Sequence, residues 1–309
     1  MSARPLVAAH LIVGAAPERF LAAVLTSLEG VADVLLVNDN SGLAESVNRR
    51  LLLASSFARQ GRLYVDDASP FRDFADARNR VLALHRRHAP DAWGMYVDAD
   101  QVHRPLARRI AARLDRVPRT IANIDAYERH YVGSFRWYTE IGRHVLLFRV
   151  TPDLRWEGAV HEHLVGVEGG CLVIPYVFDH YGALLSVREH ATKGRLYSAL
   201  GAPGNTADDR EAASIPLQQY FSPLFERAIR YRGTLPDALG ALDSMDRERY
   251  LNDPDVDRLI ARAQSLRARA RNGFWSFTYG YRWRGRFLDI RALRLVAGAS
   301  PSPREWAAP

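Results

Sequence analysis

Several kinds of residue and segment are rare in this sequence, and each absence excludes a class of protein. The 309 residues include a single cysteine, Cys171, which rules out an internal disulfide and a cysteine-based zinc site. No apolar run approaches the roughly 18 residues that a membrane-spanning helix needs. The first residues lead directly into a strand-like segment, without the pattern of a secretory signal peptide. Together these absences predict a cytoplasmic protein.

Two common catalytic motifs are also missing. A dinucleotide-binding domain has G-x-G-x-x-G after its first strand, but Gly14 stands alone in the corresponding turn. This absence counts against an NAD or flavin enzyme and against a simple methyltransferase. The segment His161-Glu162-His163 does not have the H-E-x-x-H spacing of zinc proteases, so that chemistry is excluded as well.

Positive charge comes almost entirely from arginine, because Lys193 is the only lysine. The formal net charge is +7 and the pI is about 9.7. A basic protein favours anionic partners such as nucleoside diphosphates, nucleic acids or an anionic membrane surface. The arginines are scattered, often beside acidic residues, so the sequence does not predict a dedicated nucleic-acid surface.

The first hundred residues alternate short apolar segments with helical patterns. A hydrophobic fraction of 48% is ordinary for a packed globular protein. Short apolar strands that are joined by helices predict an α/β fold, with a mostly parallel central sheet covered by helices on both faces. The predicted strands are residues 6–13, 34–37, 63–65 and 93–97, and the predicted helices are residues 17–30, 43–58 and 73–88.

The second half is less regular and ends in a region of helical, polar pattern. A boundary near residue 183 divides an α/β domain, residues 1–183, from a mostly helical C-terminal extension, residues 184–309. Residues 272–295 interleave aromatic residues with arginines. They either pack over the first domain or contact an anionic or lipid-linked ligand at a membrane surface. Further strands are predicted at residues 120–131, 144–150 and 172–178, where Pro175 indicates an edge or a bulge, and further helices at residues 104–114, 184–200 and 211–270.

Acidic residues follow two of the predicted parallel strands. Asp98 and Asp100 come directly after residues 93–97, and Asp39 follows the second strand. Ligands bind outside the carboxyl ends of the strands in such sheets, so we expect the three acids at one edge. The Asp98–Asp100 pair predicts a divalent cation shared with phosphate oxygens, and Asp39 predicts a contact to a ribose or nucleobase. The alternatives are a solvated turn at the pair and an Asx-type turn at Asp39.

Other polar residues complete the candidate site. Arg78 and Asn79 lie ahead of the apolar face of a predicted helix, from which Arg78 is expected to contact a diphosphate or a nucleobase; a solvated helix face is the alternative. His180 follows a strand and suits a cation as a neutral imidazole ligand. Glu162 is the candidate general base, with His161 as its competitor.

The order of these segments resembles that of the family-2 glycosyltransferases of GT-A fold. The later segments are similar to the bacterial subgroup related to cell-wall and peptide glycosyltransferases. The resemblance covers roughly residues 5–182. Its motifs are Asn38-Asp39-Asn40-Ser41-Gly42, Phe74-Ala75-Asp76-Ala77-Arg78-Asn79, residues 93–100, residues 156–162 and Asp179-His180-Tyr181-Gly182.

The resemblance implies an inverting sugar transfer from a nucleoside-diphosphate sugar, with a UDP-sugar as the expected donor and Mn or Mg as the cofactor. By position, Asp39 would bind the nucleoside, Arg78 the nucleotide, and Asp98 the ribose or the metal. Asp100 and His180 would hold the metal, and Glu162 would be the base. The sequence departs from the family pattern where Asn38 or Asn40 replaces a second Asp, and where Gln101 replaces a Glu.

Two other functions are compatible with these residues. A sugar-phosphate nucleotidyltransferase would use a similar core, but it would usually have a glycine-rich phosphate loop after the first strand. A degenerate protein that binds nucleotide sugars without catalysis, or an arginine-rich nucleic-acid module, is the non-enzymatic alternative. The acceptor can be a glycan, a lipid-linked molecule, a peptide or a small molecule.

Overall fold

A computed structural model of the chain describes residues 6–67, 70–184, 187–201, 224–251 and 254–264, together with three short strands between residues 281 and 295. Within these residues, nine strands form one sheet in the order β3-β2-β1-β4-β7-β6-β10-β5, with β11 beside β7. The strands of the sheet are β1 (Val7–Val13), β2 (Val34–Asp39), β3 (Leu63–Asp66), β4 (Trp93–Tyr96), β5 (Gln101–Val102), β6 (Ile121–Val132), β7 (Ser134–Arg149), β10 (Gly170–Ala183) and β11 (Ile229–Arg230), while β8 (Arg155–Glu157) and β9 (His163–Val165) form a separate hairpin.

The predicted α/β class is confirmed, and the first four strands of the sheet are parallel as expected. The other half of the sheet is mixed rather than parallel. β6 and β7 are long antiparallel partners joined at Gly133, and β7 also runs antiparallel to β4. Residues 134–143 interleave aromatic residues with charged and small ones and contain no continuous apolar run, so the sequence predicted only the apolar end of β7.

The helices lie on both faces of the parallel half, as predicted. α1 begins at Leu21 rather than at Pro17, and Ser55 divides the predicted helix 43–58, because its side chain accepts a hydrogen bond from Ala58 N and caps a new helix. The helices are α1 (Leu21–Leu28), α2 (Val47–Ala54), α3 (Ser56–Arg59), α4 (Phe74–His88), α5 (Leu106–Ala111), α6 (Val187–Ala199), α7 (Ser244–Leu251) and α8 (Pro254–Ala263).

Alternation along β1 creates two apolar layers. Val7, Ala9 and Leu11 belong to the large core that includes α1, whereas Ala8 packs with Val81 of α4. His10, which interrupts the apolar run of β1, is fully buried on the α4 side, where its Nε2 lies 2.7 Å from His85 Nδ1. Burial lowers the pKa of His10 well below its ordinary value. The neutral pair therefore fixes α4 against β1, and α4 carries Arg78.

β10 confirms the bulge predicted from Pro175. Its parallel register with β6 shifts between Val173 and Val177, where a proline without an N–H would interrupt the ladder. The strand then continues to Ala183. This continuation is what brings His180 and Gly182 to the same sheet edge as the acidic pair.

The part of the chain after residue 183 contains the helices α6, α7 and α8 and also short strands, while the domain boundary near residue 183 stays a prediction. β12 (Tyr281–Trp283), β13 (Arg286–Asp289) and β14 (Arg294–Leu295) form an antiparallel sheet that the sequence did not predict. Residues 202–223 and 265–280 lie outside the described residues, as do the side chains of the 272–295 segment. Within residues 224–264 the prediction of helix over 211–270 is wrong in part, because the strand β11 at Ile229–Arg230 pairs with β7 and a 3-10 turn at Asp237–Ala241 precedes α7. Among the described helices, none has the length and apolar character to cross a bilayer.

We expect Gly94→Ala in β4 to lower the free energy of unfolding by about 1–3 kcal/mol. A Cβ at this position would lie 2.4 Å from Phe148 Cε2, and the Phe148 ring is fully buried, so it cannot move away cheaply. Urea denaturation measures the change. Gly142→Ala in β7 is the matched control, because the nearest atom to its new Cβ is His130 Nε2 at 3.7 Å. Equal stability of the two variants would contradict the expected overpacking.

Candidate active site

The acids predicted from the sequence lie at the carboxyl ends of adjacent parallel strands. Asp39 is the last residue of β2 and pairs in register with Val13 of β1. Asp98 and Asp100 follow β4 on the other side of β1, where Val97 N donates to His10 O. The sheet therefore does bring the three carboxylates to one edge, because parallel strands present their carboxyl ends together.

Arg78 occupies the centre of this edge as a buried cation. Its side chain is 1% exposed, and it forms ion pairs with Asp98 through Nη2 and with Glu162 Oε1 through Nε at 3.2 Å. Its Nη1 donates to the carbonyl oxygens of Val97 at 3.0 Å and His10 at 3.3 Å. The guanidinium is therefore directed at groups of the protein itself, and it joins the acidic edge to the segment that carries Glu162.

Tyr96 contacts Arg78 and both of the carboxylates that Arg78 pairs with, Asp98 and Glu162. The Arg78 guanidinium lies 4.0 Å from the centre of the Tyr96 ring, a cation–π contact. The Tyr96 hydroxyl lies 3.2 Å from Asp98 Oδ2 and 3.4 Å from Glu162 Oε1. Burial raises the pKa of Tyr96 well above its ordinary value, so the hydroxyl keeps its proton. Both carboxylates are thus oriented by fixed donors.

Asp100 and His180 face each other across a narrow space. His180 Nε2 lies 3.1 Å from Asp100 Oδ1, yet this buried oxygen accepts no well-aligned hydrogen bond within the described residues. Burial would lower the pKa of His180, but the charges of Asp100 and Glu128 outweigh it and raise the pKa to about 9. Gly182 leaves the space open, since a Cβ there would lie 2.5 Å from His180 Nε2 and 2.7 Å from Asp100 Oδ2.

Glu128 on β6 is a functional candidate that the sequence did not reveal. Its Oε1 lies 3.2 Å from His180 Nδ1, and its Oε2 lies 3.1 Å from His130 Nε2. A carboxylate at Nδ1 leaves the Nε2 of His180 directed at Asp100, which is the usual way that proteins orient a metal-ligating histidine. Asp98, Asp100 and His180 form one group able to hold a metal ion, and Glu128, His130 and His180 form another.

Gln101, which replaces the glutamate of the resembled family, is fully buried between two carboxylates. Its Oε1 accepts from Asp98 N at 3.0 Å, which directs its Nε2 toward Glu128 Oε1 at 2.5 Å and Asp98 Oδ2 at 3.3 Å. A glutamate in this place would have no proton to donate to either acid at neutral pH. The amide therefore suits a site in which Glu128 adds an extra carboxylate.

The loop that carries Glu162 is fixed to α4 by Asn79. The Asn79 amide donates to Trp156 O and accepts from Trp156 N, both at 2.9 Å, so it pairs with the backbone of β8 like a neighbouring strand. The loop then turns through His161 in the left-handed region, at φ +57. His161 is exposed, and its ring centroid lies 6.0 Å from that of Tyr197 on α6. Asn79 thus positions the Glu162 loop.

Asp39 has the Asx-turn geometry that the sequence left as an alternative. Its Oδ1 accepts from Ser41 N at 3.1 Å, while its Oδ2 lies 3.5 Å from Arg49 Nη1. The side chain is 2% exposed. The turn is real, and the prediction that Asp39 binds a nucleoside stays a prediction.

Lys193, Tyr197 and Glu18 are three more residues at the acidic edge that the sequence did not assign. Lys193 and Tyr197 share a face of α6, with the ammonium 5.7 Å from the Tyr197 ring. Burial would lower the pKa of Lys193, but the charge of Asp100 outweighs it and raises the pKa. Burial and the Asp100 charge raise the pKa of Glu18 to about 7. The only available signal was that Lys193 is the sole lysine.

Comparisons with known proteins return solved structures alone, since no protein-family model and no curated protein matches the chain. The mannosyltransferase PcManGT from Pyrobaculum calidifontis, in complex with GDP-Man and Mn²⁺, is 15% identical over 89% of this chain and 80% of that one, at a TM-score of 0.39. TarS 1-349 from S. aureus is 12% identical over 92% and 96%, at 0.35. A mycobacterial protein is 15% identical over 76% and 88%, at 0.36. Likeness at this level carries no argument about activity, so the function has to be inferred from the site.

Proposed function

We propose that this chain is a metal-dependent glycosyltransferase of GT-A type, which moves a sugar from a nucleoside-diphosphate sugar to an acceptor hydroxyl. One observation carries the proposal: the buried Arg78 holds Asp98 and Glu162 at the same time. A cation-binding acidic pair and a separate carboxylate are thereby fixed beside each other at the carboxyl edge of a parallel sheet. Sugar transfer needs both groups, one for the leaving diphosphate and one for the acceptor proton.

The residues at Asp100 fit a divalent cation. Asp100 Oδ1 is a buried carboxylate oxygen without an aligned donor, and Gly182 keeps the space beside it free of a Cβ. Asp98, Asp100 and His180 offer the oxygen-rich donor set that Mg or Mn accepts. A bound cation would neutralise negative charge on the diphosphate as it leaves.

Lys193 supplies positive charge from the chain itself at the same place. Burial would lower its pKa, but the charges of Asp100 and Asp98 outweigh burial and raise the pKa, so the ammonium stays protonated at neutral pH. An ammonium on a flexible side chain is a common phosphate ligand. We assign Lys193 to the diphosphate of the nucleotide sugar. Asp98 is assigned to the same nucleotide-sugar donor, and Asp39 to its nucleoside. Arg78 then acts as a positioning residue rather than as a direct phosphate ligand.

Glu162 is assigned as the general base. Its Oε1 is occupied by Arg78 Nε and lies near the Tyr96 hydroxyl, whereas its Oε2 accepts no hydrogen bond from the described residues. The fixed oxygen holds the carboxylate in place and leaves the other oxygen to take the acceptor proton. Membership of family 2, a UDP-sugar as donor and inversion at the anomeric carbon belong to the same proposal.

Thermal unfolding tests the proposal. We expect UDP or GDP to raise Tm in the presence of Mn²⁺ or Mg²⁺ and to have no effect in excess EDTA. A ligand at 100 times its Kd stabilises the folded state by about 2.7 kcal/mol, which corresponds to roughly 5 °C for a chain of this size. If the nucleotide raised Tm equally with and without EDTA, the proposal that a cation takes part in nucleotide binding would be wrong.

The reaction product distinguishes a glycosyltransferase from a sugar-phosphate nucleotidyltransferase, the alternative enzyme with a similar core. Released nucleoside diphosphate from a nucleotide sugar supports sugar transfer, whereas pyrophosphate from a nucleoside triphosphate and a sugar phosphate would show a nucleotidyltransferase.

A further inference from the structure

A cavity opens beside Glu162, and neither Asp98 nor Asp100 is among its lining residues. Its volume is about 290 Å³, and it lies between β6, β7 and the β8–β9 hairpin. This is near the lower end of the range of roughly 300–1,000 Å³ that is typical of small-molecule sites. Its lining residues are Asp125, Arg143, His144, Val145, Trp156, Glu162, His163 and Leu164.

Trp156 contributes a buried donor that nothing in the protein uses. The side chain is 4% exposed, and its indole Nε1 has no hydrogen-bond partner within the described residues. Leaving a buried N–H unpaired costs free energy, so buried indoles normally find an acceptor. A ligand oxygen in the cavity would supply that acceptor.

Two acceptors complement this donor. His144 Nδ1 lies 2.9 Å from Val145 O, a carbonyl oxygen that can only accept, so Nδ1 is the donor and Nε2 of that tautomer offers a lone pair. Glu162 Oε2 is the second, because Arg78 and Tyr96 approach Oε1. A ligand that fits must therefore both donate and accept, as hydroxyl groups do.

The charges in the cavity cancel one another. Asp125 Oδ2 accepts from Arg143 Nε at 2.6 Å, and Glu162 is paired with Arg78. The cavity therefore offers no unpaired cation among its described lining residues, and an anionic ligand gains nothing there. Val145 and Leu164 supply apolar surface for a carbon skeleton. The combination favours a neutral polyhydroxylated ring over a phosphate or a carboxylate.

We propose that this cavity is the acceptor site and that it binds one neutral sugar ring, a proposal that rests on the glycosyltransferase function above. The acceptor hydroxyl gives its proton to Glu162 Oε2, and the oxygen uses a lone pair to form the new bond to the anomeric carbon. The bond from that carbon to the diphosphate oxygen breaks, and its electron pair leaves with the diphosphate. The indole of Trp156 and the Nε2 of His144 hold other hydroxyl groups of the same ring.

The test measures binding of methyl glycosides to the full chain by saturation-transfer NMR, with methyl glucoside, galactoside, mannoside and N-acetylglucosaminide as probes. We expect at least one to bind, and Trp156→Phe to raise its Kd about 5- to 10-fold, since the variant keeps an aromatic six-membered ring but loses the indole N–H and its hydrogen bond. Trp137→Phe is the matched control. It also loses an indole hydrogen bond, from Trp137 Nε1 to Asp257 Oδ1 at 2.6 Å, but away from the cavity.

Three outcomes would overturn the acceptor site: no probe binds, Trp156→Phe and Trp137→Phe change the Kd equally, or glucose 1-phosphate binds more tightly than every neutral glycoside. Binding of UDP with Mn²⁺, measured on the same samples, separates the two proposals. If the chain binds the nucleotide but no glycoside, only the assignment of the cavity as the acceptor site is wrong. Glycoside binding without nucleotide binding refutes the sugar-transfer function and leaves a carbohydrate-binding cavity.

Discussion

Replacing Glu162 with glutamine is expected to lower turnover by about 10²- to 10⁴-fold while donor affinity changes little. Glutamine preserves the shape of the side chain, and its amide oxygen can still accept from Arg78 Nε, which is 3.2 Å from Oε1 in the wild-type protein. It cannot take a proton at neutral pH. Donor affinity is spared because Asp98, Asp100 and Lys193 lie on other segments. Steady-state kinetics and donor titration measure the two quantities.

Glu157→Gln is the matched control for this variant. Glu157 is exposed on the preceding strand and is paired with Arg155, so the same change of charge there leaves the active edge intact. His161, which lies next to Glu162, is the competitor for the role of base. Normal turnover of Glu162→Gln together with an inactive His161→Ala would show that the wrong base is assigned.

Asp100→Ala is expected to abolish transfer and to leave the fold intact. Its side chain is 23% exposed at the end of a strand, and its contact to the structure through Tyr181 N uses the backbone oxygen, which the variant keeps. His180 keeps Glu128 as a partner. The loss is expected at every Mn²⁺ concentration, and circular dichroism checks that the variant is folded. If Asp100→Ala kept wild-type turnover, Asp98 and Asp100 would belong to a solvated turn that takes no part in catalysis.

Gly182→Ala tests the same cation site without removing a charge. Its Cβ would lie within 2.5 Å of His180 Nε2 and 2.7 Å of Asp100 Oδ2, so it occupies the space assigned to the cation. Loss of Mn²⁺-dependent nucleotide binding is the expected result. Gly142→Ala, whose Cβ meets only His130 Nε2 at 3.7 Å, is the control. If Gly182→Ala binds nucleotide and Mn²⁺ normally, the cation does not lie between Asp100 and His180.

The parallel half of the sheet could be predicted because its signals are local. Each of its strands is a short apolar run that ends at a turn, and a parallel arrangement alone brings Asp39, Asp98 and Asp100 to one edge. The chain order of the motifs then indicated Glu162 and His180. None of these inferences required knowledge of which distant segments pair.

Glu128 and Lys193 could not be predicted in this way. Glu128 lies on β6, a strand that the sequence does predict, but its position beside His180 depends on the register between β6 and β10. Lys193 reaches the acidic edge only through the packing of α6. The cavity beside Glu162 likewise depends on how the β8–β9 hairpin covers β7. Tertiary pairing of this kind leaves no periodic pattern in the sequence.

Arg78 has a mechanical consequence beyond its charge. Its guanidinium holds Asp98, Glu162, the carbonyl of His10 within β1 and the carbonyl of Val97 directly after β4 with one planar set of donors. Its neighbour in sequence, Asn79, holds the backbone of β8. The distance between the acidic pair and Glu162 therefore depends on one turn of α4, the turn that carries Arg78 and Asn79. These contacts couple the Glu162 loop to α4, so we expect a displacement of either segment to move the other as well.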